Sequence, residues 1–291
     1  MFEDDFIALN IQQEAEVFIR SELVKSKPSG SRLVIEKFLL AALGSIPWIG
    51  GFLSSAATLK TEEGARYVSN LHTRWLEEHA KKLSDFHATL GTILGRFENL
   101  GSTIDERIQS EEYLRLVRRA FRVWDDASTE EKRRYVANVV TNAAGTRLCS
   151  DDVIRLFLDW LDLYHESHFA VIGCIYNKHG ITRFEIWDQI YGELPREDSA
   201  EADLYKFLIR DLSTGGVIRQ ERETNRAGQF LRKRRPPSNQ QASTTMESAF
   251  EDTKPYVLTR LGDQFVHYTM NEVVTRISAG HSQATQGSTG G

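Results

Sequence analysis

Along most of this chain apolar residues recur at steps of three and four, the spacing that builds one face of an α-helix. A first helix is expected over about residues 4–25, where Phe6, Leu9, Phe18 and Leu23 sit among charges. Lys27-Pro28-Ser29-Gly30 ends it, and a second helix opens near Ser31. From Phe38 to Leu59 the polar face disappears: no ionisable residue lies between Lys37 and Lys60. The centre of this stretch, Gly44-Ser45-Ile46-Pro47-Trp48-Ile49-Gly50-Gly51, is turn chemistry, so 38–59 reads as two short apolar helical arms joined by a tight bend. A long helix follows from about Glu62 to Asn99. Its stripe, Leu76, His79, Leu83, Phe86, Leu90, Ile93, Phe97 and Leu100, is that of a coiled coil or of a helix in a long bundle. Gly101-Ser102 stops it. Further helices open at Ser110 and at Ser128-Thr129-Glu130-Glu131, where Ser128 and Glu131 form a capping box; Gly145 ends the second, and Ser150 begins the next.

After His168 the pattern shortens. Phe169–Lys178, Thr182–Tyr191 and Glu201–Ser213 read as three short helices, and Val217-Ile218-Arg219 and Tyr256-Val257-Leu258-Thr259 as two strands. Three helices followed by a two-stranded ribbon predict a winged-helix-like domain with a long basic loop over 219–255. A closing helix over about Arg260–Ile277 precedes a Gly/Ser/Thr/Gln tail. The expected fold is therefore mainly α: a helical bundle with an apolar hairpin over 1–165, a winged-helix-like domain over 166–279, and a disordered tail over 280–291.

Composition changes this picture little. Apolar residues at 41% and charged residues at 26% describe a globular chain. A net charge of −5 gives no overall attraction to nucleic acid or anionic lipid, so such binding requires a local patch. The acidic start, Met1 to Phe6, lacks the basic region of a signal peptide. Cys149 and Cys174, both in apolar helical context, suit a reducing compartment. The expected location is the cytoplasm, with attachment to a membrane surface on activation as the alternative.

Two patches are candidates for function. The first is the apolar hairpin, with Leu43, Ile46, Pro47, Trp48, Ile49 and Phe52 at its bend. Each arm of about nine residues spans roughly 14 Å, against a hydrocarbon core of ~30 Å, so a stable transmembrane helix is not expected. A hairpin buried in the helical core is the favoured reading, and a re-entrant or pore-forming hairpin the alternative. The second patch is basic. Arg219, Arg222, Arg226, Arg232, Lys233, Arg234 and Arg235 face only Glu221 and Glu223 within 217–235, net +5. It would meet nucleic-acid phosphates or anionic lipid headgroups. Against DNA reading, Glu201, Asp203 and Asp211 outnumber Lys206 and Arg210 on the helix that would enter a groove.

Signatures of catalysis are missing. No nucleophile elbow or phosphate-cradling loop ending in Lys-Ser/Thr occurs, and His165, His168, Cys174 and His179 lack the spacing of a zinc site. No cofactor, metal or small-molecule substrate is expected. A protein partner or a homo-oligomer is, with membrane or nucleic acid as alternatives.

The order of segments resembles a known family. The bend Leu43-Gly-Ser-Ile-Pro-Trp-Ile-Gly-Gly51, the long helix, Ser110-Glu-Glu-Tyr-Leu-Arg-Leu-Val117, Glu130-Glu-Lys-Arg-Arg-Tyr-Val-Ala-Asn138 and Leu258-Thr-Arg-Leu-Gly-Asp-Gln-Phe-Val266 are similar to segments of bacterial abortive-infection alpha proteins. The resemblance covers about residues 33–270 and implies a non-enzymatic role in anti-phage defence. It brings no catalytic residues. The alternative is a winged-helix DNA-binding transcriptional regulator.

Overall fold

The computed structural model describes residues 30–48, 81–82, 84–222, 225, 227, 229 and 248–271. The expected helix 4–25, the second apolar arm with Ile49 and Phe52, most of the first half of the long helix, Arg226, the run Arg232–Arg235 and the tail lie outside these residues. The described chain is mainly helical and forms two compact units. One runs to Asp162 and takes in Tyr268 onward, and the other is Leu163–His267.

The first unit is a helical bundle. Helix α1 (Gly30–Leu43) stops where the turn residues begin. Gly44 N–H donates to Leu40 O at 3.0 Å, and the Ser45 hydroxyl turns back onto Ala41 O and Ala42 O. Pro47 and Trp48 start a new helical turn, a position where proline's missing N–H costs nothing. Helix α2 (84–100) follows, then a 3₁₀ turn (Gly101–Ile104), α3 (Asp105–Gln109), α4 (Glu111–Asp126), α5 (Glu130–Gly145) and α6 (Asp151–Leu163). Ser110 caps α4 by accepting the Tyr113 N–H. For α5 the cap is Thr129, which accepts the Lys132 N–H, not the expected Ser128: either hydroxyl could serve, and the helix begins one residue later.

Edge-to-face rings tie α1, α2 and α4 together. Phe38 meets Phe97 at 5.2 Å and Phe121 at 6.3 Å, and Phe86 meets Phe121 at 5.5 Å and Trp124 at 5.3 Å. Such pairs contribute about 0.5–1.5 kcal/mol beyond their buried area. Of the described part of the long stripe, Phe86, Leu90, Ile93 and Phe97 are buried in this core and Leu100 is half-buried.

Helix α5 lies deepest, with every residue from Tyr135 to Ala144 buried. Its buried polar groups hold the returning chain: Asn138 Nδ2 donates to Thr269 O at 2.7 Å, and Asn142 Nδ2 to Tyr268 O at 3.1 Å. Tyr268 packs on Phe157 and receives the Thr146 hydroxyl. The sequence expectation carried the second domain on to residue 279, of which residues 272–279 lie outside the described residues. Residues 268–271 group with the first unit, where Asn138 and Asn142 of α5 donate to the carbonyls of Tyr268, Thr269 and Asn271.

The second unit contains α7 (Glu166–Asn177), α8 (Arg183–Tyr191), α9 (Ala200–Thr214), β1 (Ile218–Gln220), β2 (Tyr256–Leu258) and the start of α10 (Arg260–Thr269). The strands pair antiparallel with Arg219 opposite Val257, and a single bridge between Ile181 and Tyr256 adds a third strand position. Thr182 and Glu185 form a capping box on α8, and Ser199 caps α9. The start of α10 presses so closely on the end of α9's following loop that a Cβ on Gly262 would lie 2.1 Å from Val217 O. No side chain larger than hydrogen fits there.

Candidate functional site

The two candidate patches meet opposite fates. At the hairpin, Ile46 and Phe38 are wholly buried, Leu43 and Trp48 half-buried, and Pro47 exposed. The indole of Trp48 donates to Asp125 Oδ1 at 2.7 Å. Lys82 Nζ reaches the same oxygen at 2.5 Å and lies 5.6 Å from the Trp48 ring centroid. The described arm is thus packed into the bundle and pinned at its rim. Among the described residues no helix is long and apolar enough to cross a membrane.

In the second unit, Arg219 and Arg222 line a concave groove of about 510 Å³. One stripe of α9 supplies Lys206, Ile209, Arg210 and Ser213, at the i, i+3, i+4 and i+7 positions that share a helix face. Strand β1 supplies Ile218, Arg219 and Gln220, and Arg222 follows it. Tyr256 comes from β2 and Arg183 from the first turn of α8. Five cations therefore converge, and no carboxylate is among the described lining residues.

The groove is organised by hydrogen bonds behind it. Arg183 donates through Nη2 and Nε to Tyr256 Oη at 2.7 and 3.1 Å, and its guanidinium lies over that ring. Gln220 Nε2 donates to the same oxygen at 3.3 Å, and the Tyr205 hydroxyl donates to Arg183 O at 2.7 Å. Lys206 Nζ has Glu197 at 3.5 Å. Glu197 also accepts from the Ser248 hydroxyl and the Ala249 N–H. Burial alone would raise its pKa, but these bonds and Lys206 outweigh it and hold the carboxyl below its ordinary value.

Asp211 faces α7, its Oδ2 3.2 Å from His168 Nε2, while His168 Nδ1 accepts the His165 N–H and its ring stacks on Tyr164 at 4.8 Å. Burial lowers the His168 pKa, and the Asp211 carboxylate only partly offsets this. His179 sits 3.8 Å from Glu221. Among the described residues no three His, Cys, Asp or Glu side chains are grouped so that they could hold a metal ion. The outward face of α9 carries Asp203 with Leu204, 54% exposed, and Phe207, 56% exposed.

Arg183 was not singled out from the sequence, and Lys206 and Arg210 entered only as charges to be cancelled. No protein family, curated protein or solved structure matches this chain.

Proposed function

We propose that this chain is a non-enzymatic, abortive-infection-type defence protein acting through protein contacts, and that residues 163–267 form a winged-helix module serving as its adaptor. The order α7, Ile181 bridge, α8, α9, β1, β2 supports the winged-helix reading: three helices, a minimal three-position sheet, and a long connection where the wing would be. The segment resemblance supports the defence role. The outward face of α9 carries the choice of protein contact over DNA reading. A helix that reads a major groove presents mostly Arg, Lys, Asn or Gln to base edges, whereas the exposed side chains along α9 include Glu201, Asp203, Leu204 and Phe207, with Arg210 as the one exposed cation of the helix. Exposed aromatic and aliphatic anchors are what protein interfaces use.

A membrane route through the apolar arm is the weaker account. It would extract Phe38, Leu39, Ala42 and Ile46, all buried, at about 1.5–3 kcal/mol for each large side chain. That total rivals the whole stability of a domain, roughly 5–15 kcal/mol.

The test is phage challenge of bacteria producing the wild-type chain or the Leu204→Glu/Phe207→Glu double variant. Protection by the wild type and its loss in a normally folded double variant is the expected result. Equal protection by both overturns the assignment to α9. The groove's cations favour one second reading, a DNA-binding regulator. It requires duplex binding that weakens steeply with salt and is reduced when Arg232–Arg235 are neutralised. Absence of duplex binding at low salt removes it.

A further inference from the structure

We propose that the exposed face of α9 docks a second copy of this chain, with the two α9 helices antiparallel about a two-fold axis near Phe207. The inference rests on the reading of this face as a protein contact and names its partner.

Helix α9 carries apolar residues on two sides. Ala202, Tyr205, Leu208, Ile209 and Leu212 are buried and pack the helix into its own unit. The opposite stripe, Ala200, Asp203, Leu204, Phe207, Arg210 and Thr214, is exposed throughout, at the i, i+3, i+4, i+7, i+10 and i+14 positions of one helix face. Packing within the unit therefore leaves Leu204 and Phe207, each more than half exposed, at the middle of the open face. The coiled-coil-like stripe, the other sequence feature suited to self-association, has Phe86, Leu90, Ile93 and Phe97 buried in the core of the first unit.

The order of charges along the stripe identifies the partner. An acid, Asp203, lies on the N-terminal side of Phe207 and a cation, Arg210, on the C-terminal side. Seven residues, or two turns, separate them, so both lie along the same edge of the stripe. A copy turned about a two-fold axis at Phe207 runs the stripe backwards and keeps its edges in place. Asp203 of each copy then lies opposite Arg210 of the other, Leu204 and Phe207 of both copies meet at the centre, and Ala200 faces Thr214 at each end. A parallel copy would set acid against acid and cation against cation, so charge selects the antiparallel arrangement. A wholly acidic or wholly basic partner helix would likewise leave one of the two charges facing its like. The contact is a single helix pair, and the expected dissociation constant is on the order of tens of micromolar.

Sedimentation equilibrium of the full chain, from low to high micromolar concentration, tests the proposal. The wild type is expected to pass from monomer to dimer across this range, and the Leu204→Glu/Phe207→Glu variant to stay monomeric. Asp203→Arg sets cation against cation and Arg210→Asp sets acid against acid, so each alone should weaken dimerisation by about tenfold or more. Mixed in equal amounts, these two single variants complement each other and should regain the wild-type affinity, as should the Asp203→Arg/Arg210→Asp variant. Recovery of that kind separates a broken contact from a misfolded chain. The proposal is overturned if the wild type stays monomeric at the top of the range, if the dimer survives all of these substitutions, or if exchanging the charges restores nothing. A monomer whose phage protection still depends on Leu204 and Phe207 overturns the self-docking and keeps the protein-contact reading, with a different partner. A dimer whose Leu204→Glu/Phe207→Glu variant protects as well as the wild type does the reverse.

Discussion

The apolar arm of α1 and the outward face of α9 have similar chemistry and opposite placements. Phe38 and Ile46 come from the longest uncharged stretch of the chain, yet both are fully buried, Phe38 against rings of α2 and α4. Leu204 and Phe207 come from an ordinary amphipathic helix and remain more than half exposed. Most of the described part of a conspicuous apolar run is thus accounted for by folding, Leu40 excepted, while an inconspicuous pair stays available for recognition. Availability, more than hydrophobicity, marks the surface that acts.

The sharpest way to break this comparison is to truncate the arm. Phe38→Ala should destabilise the first unit by about 3–5 kcal/mol, read from urea unfolding, because the ring leaves a cavity between Phe97 and Phe121. A loss below about 1 kcal/mol would mean that the arm is not core.

In the second unit, Gly262→Ala drives a methyl into Val217 O and should cost about 1–3 kcal/mol or more, since the obstacle is backbone. An unchanged melting temperature would refute the close approach of α10 that frames this unit.

A pH series probes buried histidines in place of apolar groups. Burial depresses the folded pKa of His168, against partial compensation by Asp211, and that of His267. Below the ordinary value of 6.5 the unfolded chain therefore takes up protons that the folded chain resists. Stability should be full above that value and decline as pH falls through it. Urea midpoints that stay level on acidification through this range would contradict the burial of both rings.

The smallest expected effect is the most informative for function. Leu204→Glu/Phe207→Glu should change stability by no more than about 0.5 kcal/mol per site, because neither side chain leaves a core. A large loss would place these residues in packing and remove the docking surface.

How much of this was legible in the sequence follows from the range of the interactions involved. The helical character, the break after Leu43 and the Ser110 cap are local, set by residue spacing, Pro47 and one hydroxyl. The start of α5 was missed by one residue because Ser128 and Thr129 carry the same capping group. The Ile181–Tyr256 bridge spans a single residue pair, too short for any alternating pattern. The groove was the least readable. Arg183, Lys206, Arg210, Arg219 and Arg222 are scattered through the sequence, and counting charges along α9 cancels its cations against Asp211, which faces His168, and against Glu201 and Asp203, which are exposed and do not line the groove. The hold of Asn138 and Asn142 on Thr269 and Tyr268 joins residues more than a hundred positions apart, beyond any local signal.

The contrast between the two apolar regions rests on where residues 38–46 spend their time. Hydrogen exchange on the full chain, with and without vesicles of anionic phosphatidylglycerol, measures this directly. The account predicts that backbone amides of 38–46 stay strongly protected in both conditions. Loss of that protection on vesicles, with the rest of the bundle intact, would contradict it and move the activity to the apolar arm.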